Sequence, residues 1–429
     1  MFSSFQQFST PHPEWIKKST IYEVHIRQYT KSGTFKEFES HLTRLKNLGI
    51  EILWLMPIQP LGVEKRKGNI GSPYSIRDYV SVNPDFGTLD DLKNLVQKSH
   101  EMGIYVILDW VANHTSWDNI WIYEHPEFYC KDGNGNIVHP ANTDWFDVAD
   151  LNYDSPSLRQ KMIEALKYWL IETDIDGYRC DMAHLVPTDF WENVRYELDK
   201  IKPVFMLAEA ETKDLLYKAF DTNYNWPLLH LMNDIAAGRQ SVKDLDNFFV
   251  QDKMNYSLNA LRLNFTSNHD ENKNAGPALE RLGRAFEALT VLTFTIPGVP
   301  LIFSGQEAGI DRKLEFFDKD EINWNSARDF SSFYNKLIEL KKNHEALWSS
   351  GDSGPMIKIG TGKDDKIFAF VRQKGNDKVL VILNLTSDFQ EFALKTESEF
   401  KGFRDIFTNA ILMSNQIGLE AWRYMVLVK

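Results

Sequence analysis

Apolar runs in this 429-residue chain repeatedly end in small clusters of ionisable and polar residues. Five such runs lead into clusters that contain Asp109, Asp181, Glu209, Asp270 and Glu307. Short β-rich runs alternate with segments of helical periodicity, and this alternation predicts parallel strands joined by helices. Ligands of parallel sheets bind at the carboxyl ends of the strands. The pattern therefore predicts several strands that bring their acids to one shared pocket.

The same alternation predicts the fold class, an α/β protein built on a (β/α)8 TIM barrel. It begins with a strand-like run at 20–25 and a helical segment at 35–48. Predicted strand ends lie near residues 26, 56, 110, 180, 208, 230, 266 and 303. About eight repeats of strand and helix are what this barrel requires. The strand near residue 230 has the weakest signal of the set.

The alternation of strands and helices is interrupted once and ends before the C-terminus. Residues 115–154 carry aromatic residues, glycines and asparagines without sustained periodicity, and an insertion of this size after a strand is usually functional. Beyond residue 348, short alternating runs separated by turn residues predict an antiparallel β-sandwich. The predicted domains are a barrel at 1–114 and 155–348, a short inserted domain at 115–154 and a C-terminal β-sandwich at 349–429.

Charge and composition narrow the class of partner. The chain has 48 Lys plus Arg against 60 Asp plus Glu, a formal net charge of -12. This charge repels phosphate backbones and argues against a general nucleic-acid binder, so a neutral partner is expected. No stretch approaches the roughly 20 apolar residues of a membrane span. Two cysteines cannot form a disulfide framework or a cysteine-rich zinc site.

Two further features bear on location and ligand. The first ten residues have neither the basic segment nor the long apolar segment of a signal peptide, so we expect a cytoplasmic protein. A periplasmic or secreted protein whose signal has been removed is the alternative. Four tryptophans, at 110, 117, 121 and 145, fall within one stretch. Their rings suit sugars, although most aromatic residues in any protein belong to the core.

Arg179 and Asp181 form the first candidate pair. They are two residues apart in a predicted strand, so both side chains should point to the same side of the sheet. A nearby guanidinium favours the ionised form of a carboxylate, which could attack carbon or balance a cation. An ordinary buried ion pair explains this spacing equally well.

Glu209 is a candidate partner for Asp181. It follows an apolar run at 204–207, and a carboxylic acid that keeps its proton is what a poor leaving group requires. Two carboxyls in opposite protonation states are the arrangement for glycoside hydrolysis. On spacing alone, a surface glutamate beside Glu211 is an equal alternative. Asp270 supplies a third carboxylate, and the recurrence of such clusters at strand ends argues against chance.

Taken together, these clusters resemble the conserved segments of the α-amylase family, the retaining α-glucan enzymes built on a (β/α)8 barrel. The matching segments are 109–114, 177–181, Glu209, 268–270, 298–307 and 148–152. The resemblance covers essentially the whole chain. It implies that Asp181 is the nucleophile, that Glu209 is the general acid/base, and that Asp270 binds sugar hydroxyls and stabilises the transition state.

The resemblance also implies a set of substrate contacts. The implied residues are Tyr74, Asp109, His114, Arg179, His184 and His269. Tyr74 matches the family's stacking tyrosine. One departure concerns acceptor-side contacts, because His184 and Leu185 stand where endo-acting α-amylases typically have Lys-His. The choice between long starch and short maltooligosaccharides therefore stays open.

A bound calcium ion is a second open point. Asn113 and Asp150 match calcium ligands of the family, and a backbone carbonyl near Leu185 could add a third oxygen. Calcium prefers six to eight oxygens, so this set is incomplete. No organic cofactor is expected.

The implied activity is hydrolysis of α-1,4-glucosidic bonds in starch-type glucans or maltooligosaccharides through a covalent glycosyl-enzyme. Within the family, the alternatives are a 4-α-glucanotransferase and an enzyme that trims cyclodextrins or maltooligosaccharides. Outside it, the alternative is an inactive glycan-binding homologue. Oligomeric state stays open.

Overall fold

The computed structural model describes residues 12–256, 260–349, 353–396 and 398–429. The described helices are α1 (Ile26–Tyr29), α2 (Phe35–Glu39), α3 (Leu42–Leu48), α4 (Leu89–Glu101), α5 (Ile120–Glu124), α6 (Pro156–Thr173), α7 (Thr188–Asp199), α8 (Trp226–Ala236), α9 (Val242–Asn255), α10 (His269–Asn274), α11 (Ala278–Leu282), α12 (Phe286–Thr295) and α13 (Ser331–Asn343). Short 3-10 helices lie at Glu14–Lys18, Pro126–Phe128, Ala183–Leu185, Asp214–Leu216, Gly283–Ala285, Glu345–Leu347 and Ser398–Phe400.

The described strands are β1 (Ile21–Val24), β2 (Ile52–Leu55), β3 (Tyr105–Val111), β4 (His114–Ser116), β5 (Val148–Asp150), β6 (Gly177–Asp181), β7 (Phe205–Ala208), β8 (Thr222–Tyr224), β9 (Leu261–Asn264), β10 (Val299–Phe303), β11 (Met356–Lys358), β12 (Ile367–Lys374), β13 (Asp377–Asn384), β14 (Gln390–Ala393), β15 (Arg404–Asp405), β16 (Gln416–Leu419) and β17 (Tyr424–Val428). Eight of these described strands close a barrel in the order β1-β10-β9-β8-β7-β6-β3-β2. The predicted (β/α)8 barrel is confirmed.

Burial explains why the barrel strands are almost continuously apolar. Every residue of β1, β2 and β7 is buried, as expected for parallel strands that are covered on both faces. The strands are short and end where polar residues begin. The apolar runs therefore correspond to the barrel wall. Asp181 ends β6 and Glu209 directly follows β7, whereas Asp109 lies within β3 and Asp270 lies in α10.

The chain divides into two compact units, and the first contains Ile21–Tyr224 and Leu314–Asn323. In this unit β3 pairs with β6, and β6 pairs with β7, in parallel registers. Gly177 makes the second pairing possible, because an added Cβ would lie 1.9 Å from the Phe205 carbonyl oxygen. In the predicted inserted segment, β4 and β5 form an antiparallel pair, with α5 between them in the sequence.

The second unit contains Glu14–Thr20, Asn225–Lys313 and Trp324–Lys429. Its C-terminal part has one antiparallel sheet in the order β11-β12-β13-β17-β15 and a second sheet of β14 and β16. Both sheets contribute to one apolar core, which includes Ile382 and Phe392. The predicted C-terminal antiparallel β-structure is confirmed.

The structure corrects several predicted elements. The predicted number of eight barrel strands is confirmed. The strand predicted to end near residue 230 is β8, which ends at Tyr224, and residue 230 itself lies in α8. Segment 35–48 forms two helices rather than one. The first ends at Glu39, and the second begins at Leu42. Strands β15 and β16 were not predicted, because neither carries a long apolar alternation.

Some expectations stay predictions. The predicted domain boundaries do not coincide with the limits of the two compact units and stay predictions. The N-terminal segment on which the signal-peptide expectation rests lies outside the described residues. Among the helices that the structure describes, none has both the length and the apolar character needed to cross a membrane.

Candidate active site

Arg179 of β6 is fully buried and contacts three carboxylates of the first unit. Its Nη1 atom lies 2.8 Å from Asp109 Oδ1 and 3.1 Å from Asp181 Oδ1. Its Nη2 atom lies 2.9 Å from Glu209 Oε2. Burial alone would lower the pKa of Arg179, but the charges of Asp109 and Glu209 outweigh burial and hold that pKa well above its ordinary value. The cluster therefore has a permanent cation at its centre.

Strand geometry brings these groups together. Arg179 and Asp181 alternate with Cys180 in β6, so their side chains share one side, as predicted. The register of β3 against β6 sets Asp109 opposite Arg179. Glu209 directly follows β7, and its backbone N–H donates to the Cys180 carbonyl at 3.0 Å, which continues the pairing with β6. Three neighbouring strands thus supply the three carboxylates.

The two oxygens of Glu209 have different surroundings. Oε2 accepts a hydrogen bond from the Met182 backbone N–H at 2.9 Å, in addition to its contact with Arg179. Met182 has a left-handed backbone with φ of 43°, which is uncommon for a residue with a side chain and recurs at functional sites. Within the described part of the chain, Oε1 has no hydrogen-bond or ionic partner. That oxygen is the one available to a ligand.

Asp109 is held from two sides. Its Oδ2 atom accepts hydrogen bonds from Trp54 Nε1 at 3.1 Å and from the Tyr74 hydroxyl at 3.0 Å, while Oδ1 contacts Arg179. The carboxylate is completely buried. This geometry suits a group that fixes the position of Arg179.

Three aromatic residues that were not predicted from the sequence lie around Arg179 and Tyr74. Arg179 Nε donates to the Tyr224 hydroxyl at 3.2 Å, and the guanidinium carbon lies 5.0 Å from the Trp54 ring centroid. Phe316 stacks on Tyr74, with ring centroids 6.2 Å apart and planes 9° apart. Trp54 could have been found from its place at the end of a predicted strand, whereas Tyr224 lies in the strand that was misplaced.

His114 lies at the start of β4 in the same unit. It is buried, and burial lowers its pKa to about 4, so the imidazole is neutral at pH 7. Its ring centroid lies 5.6 Å from that of Trp145, one of the tryptophans of the inserted segment. A neutral imidazole can both donate and accept a hydrogen bond.

Asn113 and Asp150, the predicted calcium ligands, each interact with a neighbouring side chain. Asn113 Nδ2 lies 3.3 Å from His114 Nδ1. Burial raises the pKa of Asp150, which also interacts with the Cys130 thiol through a hydrogen bond. In the described residues, no group of three or more His, Cys, Asp or Glu side chains could hold a metal ion. Asn113 and Asp150 supply two side-chain oxygens and calcium prefers six to eight, so these two residues alone do not complete a calcium site, and bound calcium stays a prediction.

The remaining candidates lie elsewhere. His184 is exposed in the 3-10 helix that follows β6. In the second unit, Asn268 caps α10 by accepting the Glu271 N–H at 2.8 Å. His269 Nε2 lies 3.2 Å from Asp270 Oδ2, and the Asp270 side chain is 31% exposed. The structure thus brings together Tyr74, Asp109, Arg179, Asp181 and Glu209 in the first unit, and His269 and Asp270 in the second.

Comparisons with known proteins agree on one family. The model described as "Alpha amylase, catalytic domain" matches residues 20–355, and that of the "Alpha-amylase SusG C-terminal domain" matches residues 367–426. The chain is 27% identical to Alpha-amylase 2 of Dictyoglomus thermophilum, over 93% of this chain and 74% of the relative. It is 28% identical to a cyclomaltodextrinase of Thermoanaerobacter pseudethanolicus, over 91% of this chain and 74% of that protein.

Among solved structures, a noncanonic maltogenic alpha-amylase from Thermotoga neapolitana superimposes with a TM-score of 0.87. The two chains are 30% identical, and the match covers 96% of this chain and 99% of the other.

Proposed function

The chain belongs to the alpha-amylase family, and from this membership we propose that it is a retaining glycosidase that hydrolyses α-1,4-glucosidic bonds in starch-type glucans or maltooligosaccharides. The observation that carries the proposal is the buried Arg179, which contacts Asp109, Asp181 and Glu209 in or directly after neighbouring strands. Retaining hydrolysis requires two carboxyls that lie roughly 5 Å apart. Asp181 and Glu209 both contact one guanidinium, which agrees with that requirement.

In the proposed first step, Asp181 attacks the anomeric carbon while Glu209 gives its proton to the bridging oxygen. The glycosidic bond breaks, and a covalent glycosyl-enzyme forms. In the second step, Glu209 takes a proton from water, and the water oxygen attacks the same carbon. Asp181 leaves as a carboxylate. The two inversions together retain the anomeric configuration.

Contacts within the cluster support this division of roles. The Oε1 atom of Glu209 is the carboxyl oxygen without a protein partner, so it is the proposed proton donor. Asp181 keeps its contact with Arg179 through both steps, which favours its departure as a carboxylate.

Further residues would orient the sugar. We assign Asp270 to sugar hydroxyls because its carboxylate is partly exposed at the start of α10 beside His269. Tyr74 offers a ring face, held in place by its stack on Phe316. The neutral His114 and the exposed His184 are assigned to hydroxyls near the cleaved bond and on the acceptor side, respectively. The proposed mechanism uses no calcium.

A second candidate is a family member that prefers short or cyclic substrates or transfers sugars. Proteins named cyclomaltodextrinase and maltogenic alpha-amylase are among the relatives. The His184-Leu185 pair departs from endo-acting α-amylases on the acceptor side. Products longer than the maltooligosaccharide supplied would identify transfer.

Location and partner form part of the proposal. The expected cytoplasmic location is tested by cell fractionation, and the neutral glucan partner agrees with the net charge of -12.

The deciding experiment measures reducing-sugar release and product size from soluble starch, maltoheptaose and a cyclodextrin. Glu209→Gln removes the proton donor and should lower kcat by about 10²–10⁴-fold. Glu211→Gln is the matched control two residues away, and its exposed side chain should leave kcat nearly unchanged. Activity retained in Glu209→Gln would refute its role. No product from any substrate with the wild type would favour the glycan-binding alternative.

A further inference from the structure

A small hollow lies in the second unit, away from the carboxylate cluster in the sequence. It has a volume of about 210 Å³ and is lined by Arg284, Glu287, Ala421, Trp422 and Arg423. Two of these residues come from the start of α12 and the turn before it, and three come from the turn before β17. Pockets for drug-sized ligands have roughly 300–1,000 Å³, so this hollow suits a smaller unit such as one sugar ring.

The side chains around the hollow are largely unused by the protein. Within the described residues, the guanidinium groups of Arg284 and Arg423 make no hydrogen bond or ion pair, and the indole of Trp422 has no stacking partner. Glu287 accepts one hydrogen bond, from the Tyr424 hydroxyl to Oε2 at 2.7 Å. Exposed arginines often lack partners, so each alone means little. Together, the guanidinium groups of Arg284 and Arg423 and the Oε1 atom of Glu287 can still form hydrogen bonds in a hollow that the Trp422 indole also lines.

The backbone of Trp422 adds an independent observation. Its φ is 59°, in the left-handed region that large side chains rarely adopt. Two backbone hydrogen bonds hold this conformation, from Trp422 N–H to the Thr386 carbonyl at 3.1 Å and from Arg423 N–H to the Glu420 carbonyl at 3.0 Å. A glycine would fit here without strain, yet the position carries the largest side chain. Such strain is concentrated at functional sites.

We propose that this hollow is a second, non-catalytic binding site for a neutral sugar unit of an α-glucan chain. The Trp422 ring would stack on the apolar face of the sugar, Arg284 and Arg423 would donate to hydroxyl oxygens, and Glu287 would accept from a hydroxyl. The lining offers both donors, from the two arginines, and an acceptor, Glu287, and hydroxyls use both whereas a simple anion uses only donors. The choice of a glucan over other neutral sugars rests on the proposed function.

The test follows the indole N–H signal of Trp422 by NMR in the full chain. Glu209→Gln serves as the background, so that maltotriose is not consumed. Of the signals from 12 tryptophans, the one absent in Trp422→Phe identifies the residue. Titration with maltotriose should shift this signal saturably. Arg284→Ala, which removes one charged donor, should weaken the apparent affinity by about tenfold.

A control variant and a titration with an anion complete the test. Phe389→Ala removes another exposed aromatic ring of the second unit and should leave the titration unchanged. Inorganic phosphate should not shift the Trp422 signal. No shift with maltotriose, or a shift with phosphate alone, would overturn the proposal. Because the signal reports one residue and needs no hydrolysis, an inactive wild type would contradict the proposed function while leaving this result intact.

Discussion

The stability of the carboxylate cluster depends on one side chain, Arg179. It is the cation that contacts Asp109, Asp181 and Glu209, and Trp54, Tyr74 and Tyr224 surround it. Removing one partner of a buried ion pair typically costs about 3–5 kcal/mol, because the other charge is left uncompensated. The sequence predicted this pair from a spacing of two residues. It could not predict the Tyr224 contact, since that depends on the register of a strand with little apolar signal.

His114 makes a pH-dependent contribution that can be measured directly. Its pKa is about 4 in the fold, against 6.5 in the unfolded chain, because burial disfavours the charged ring. The unfolded state therefore binds a proton first as pH falls, and stability from His114 is lost between pH 6.5 and about 4. The difference in unfolding free energy between wild type and His114→Gln should shrink by about 3 kcal/mol from pH 7 to pH 4. Denaturant unfolding at several pH values measures it.

His100 provides a control with the opposite sign. A hydrogen bond to Asp176, with Nε2–Oδ2 of 2.8 Å, raises the pKa of His100 above its ordinary value. Its stabilising contribution is fully present below pH 6.5 and is lost as pH rises through the higher folded value. The stability difference between wild type and His100→Gln should therefore grow as pH falls. Equal pH dependence in both variants would contradict the assignment for His114.

At the scale of elements, predictions succeeded where an apolar run was long. The predicted strand ends near residues 110 and 303 correspond to β3, Tyr105–Val111, and β10, Val299–Phe303, both of which follow long apolar runs. Strand β8 has three residues, of which two are polar, so periodicity could not locate it. Helices α2 and α3 continue one apolar periodicity through the break between them, so the sequence showed one segment. Short elements depend on tertiary pairing.

Gly177 offers a test of how closely β6 and β7 must approach. Its φ is 152°, and an added Cβ would lie 1.9 Å from the Phe205 carbonyl oxygen. Because this oxygen belongs to the backbone of β7, the clash can be relieved only if one of the two strands moves. Gly177→Ala should lower the unfolding free energy by about 4 kcal/mol or more. Since β7 leads into Glu209, activity should fall as well. Gly133→Ala, where the Cβ meets nothing within 4 Å, should stay within about 0.5 kcal/mol of wild type. Similar stability of the two variants would refute the steric argument.

At the scale of the whole molecule, the predicted C-terminal domain belongs to the same compact unit as part of the predicted barrel. The sequence predicts a barrel that is separate from a C-terminal domain at 349–429. In the second unit, however, Arg372 Nη1 donates to the Thr295 carbonyl at 3.0 Å, and Tyr424 donates to Glu287. Helix α12 is buried at nearly every position, so it needs cover on all sides. Sequence patterns mark where element types change, but they do not reveal which apolar faces share a core.

These contacts predict that residues 1–348 do not form a stable protein alone. Removal of 349–429 would expose the faces of α12 that Arg372 and Tyr424 help to cover, and it would remove Phe368, whose ring stacks on Phe249 of α9 at 5.7 Å. We expect the fragment to aggregate or to lose cooperative thermal unfolding, measured by circular dichroism and light scattering. Co-expression of 349–429 as a separate chain is the control, and it should restore a soluble complex. If 1–348 unfolds cooperatively near the melting temperature of the full chain and hydrolyses maltoheptaose equally well, the predicted boundary separates independent domains, because the shared contacts then add little to stability.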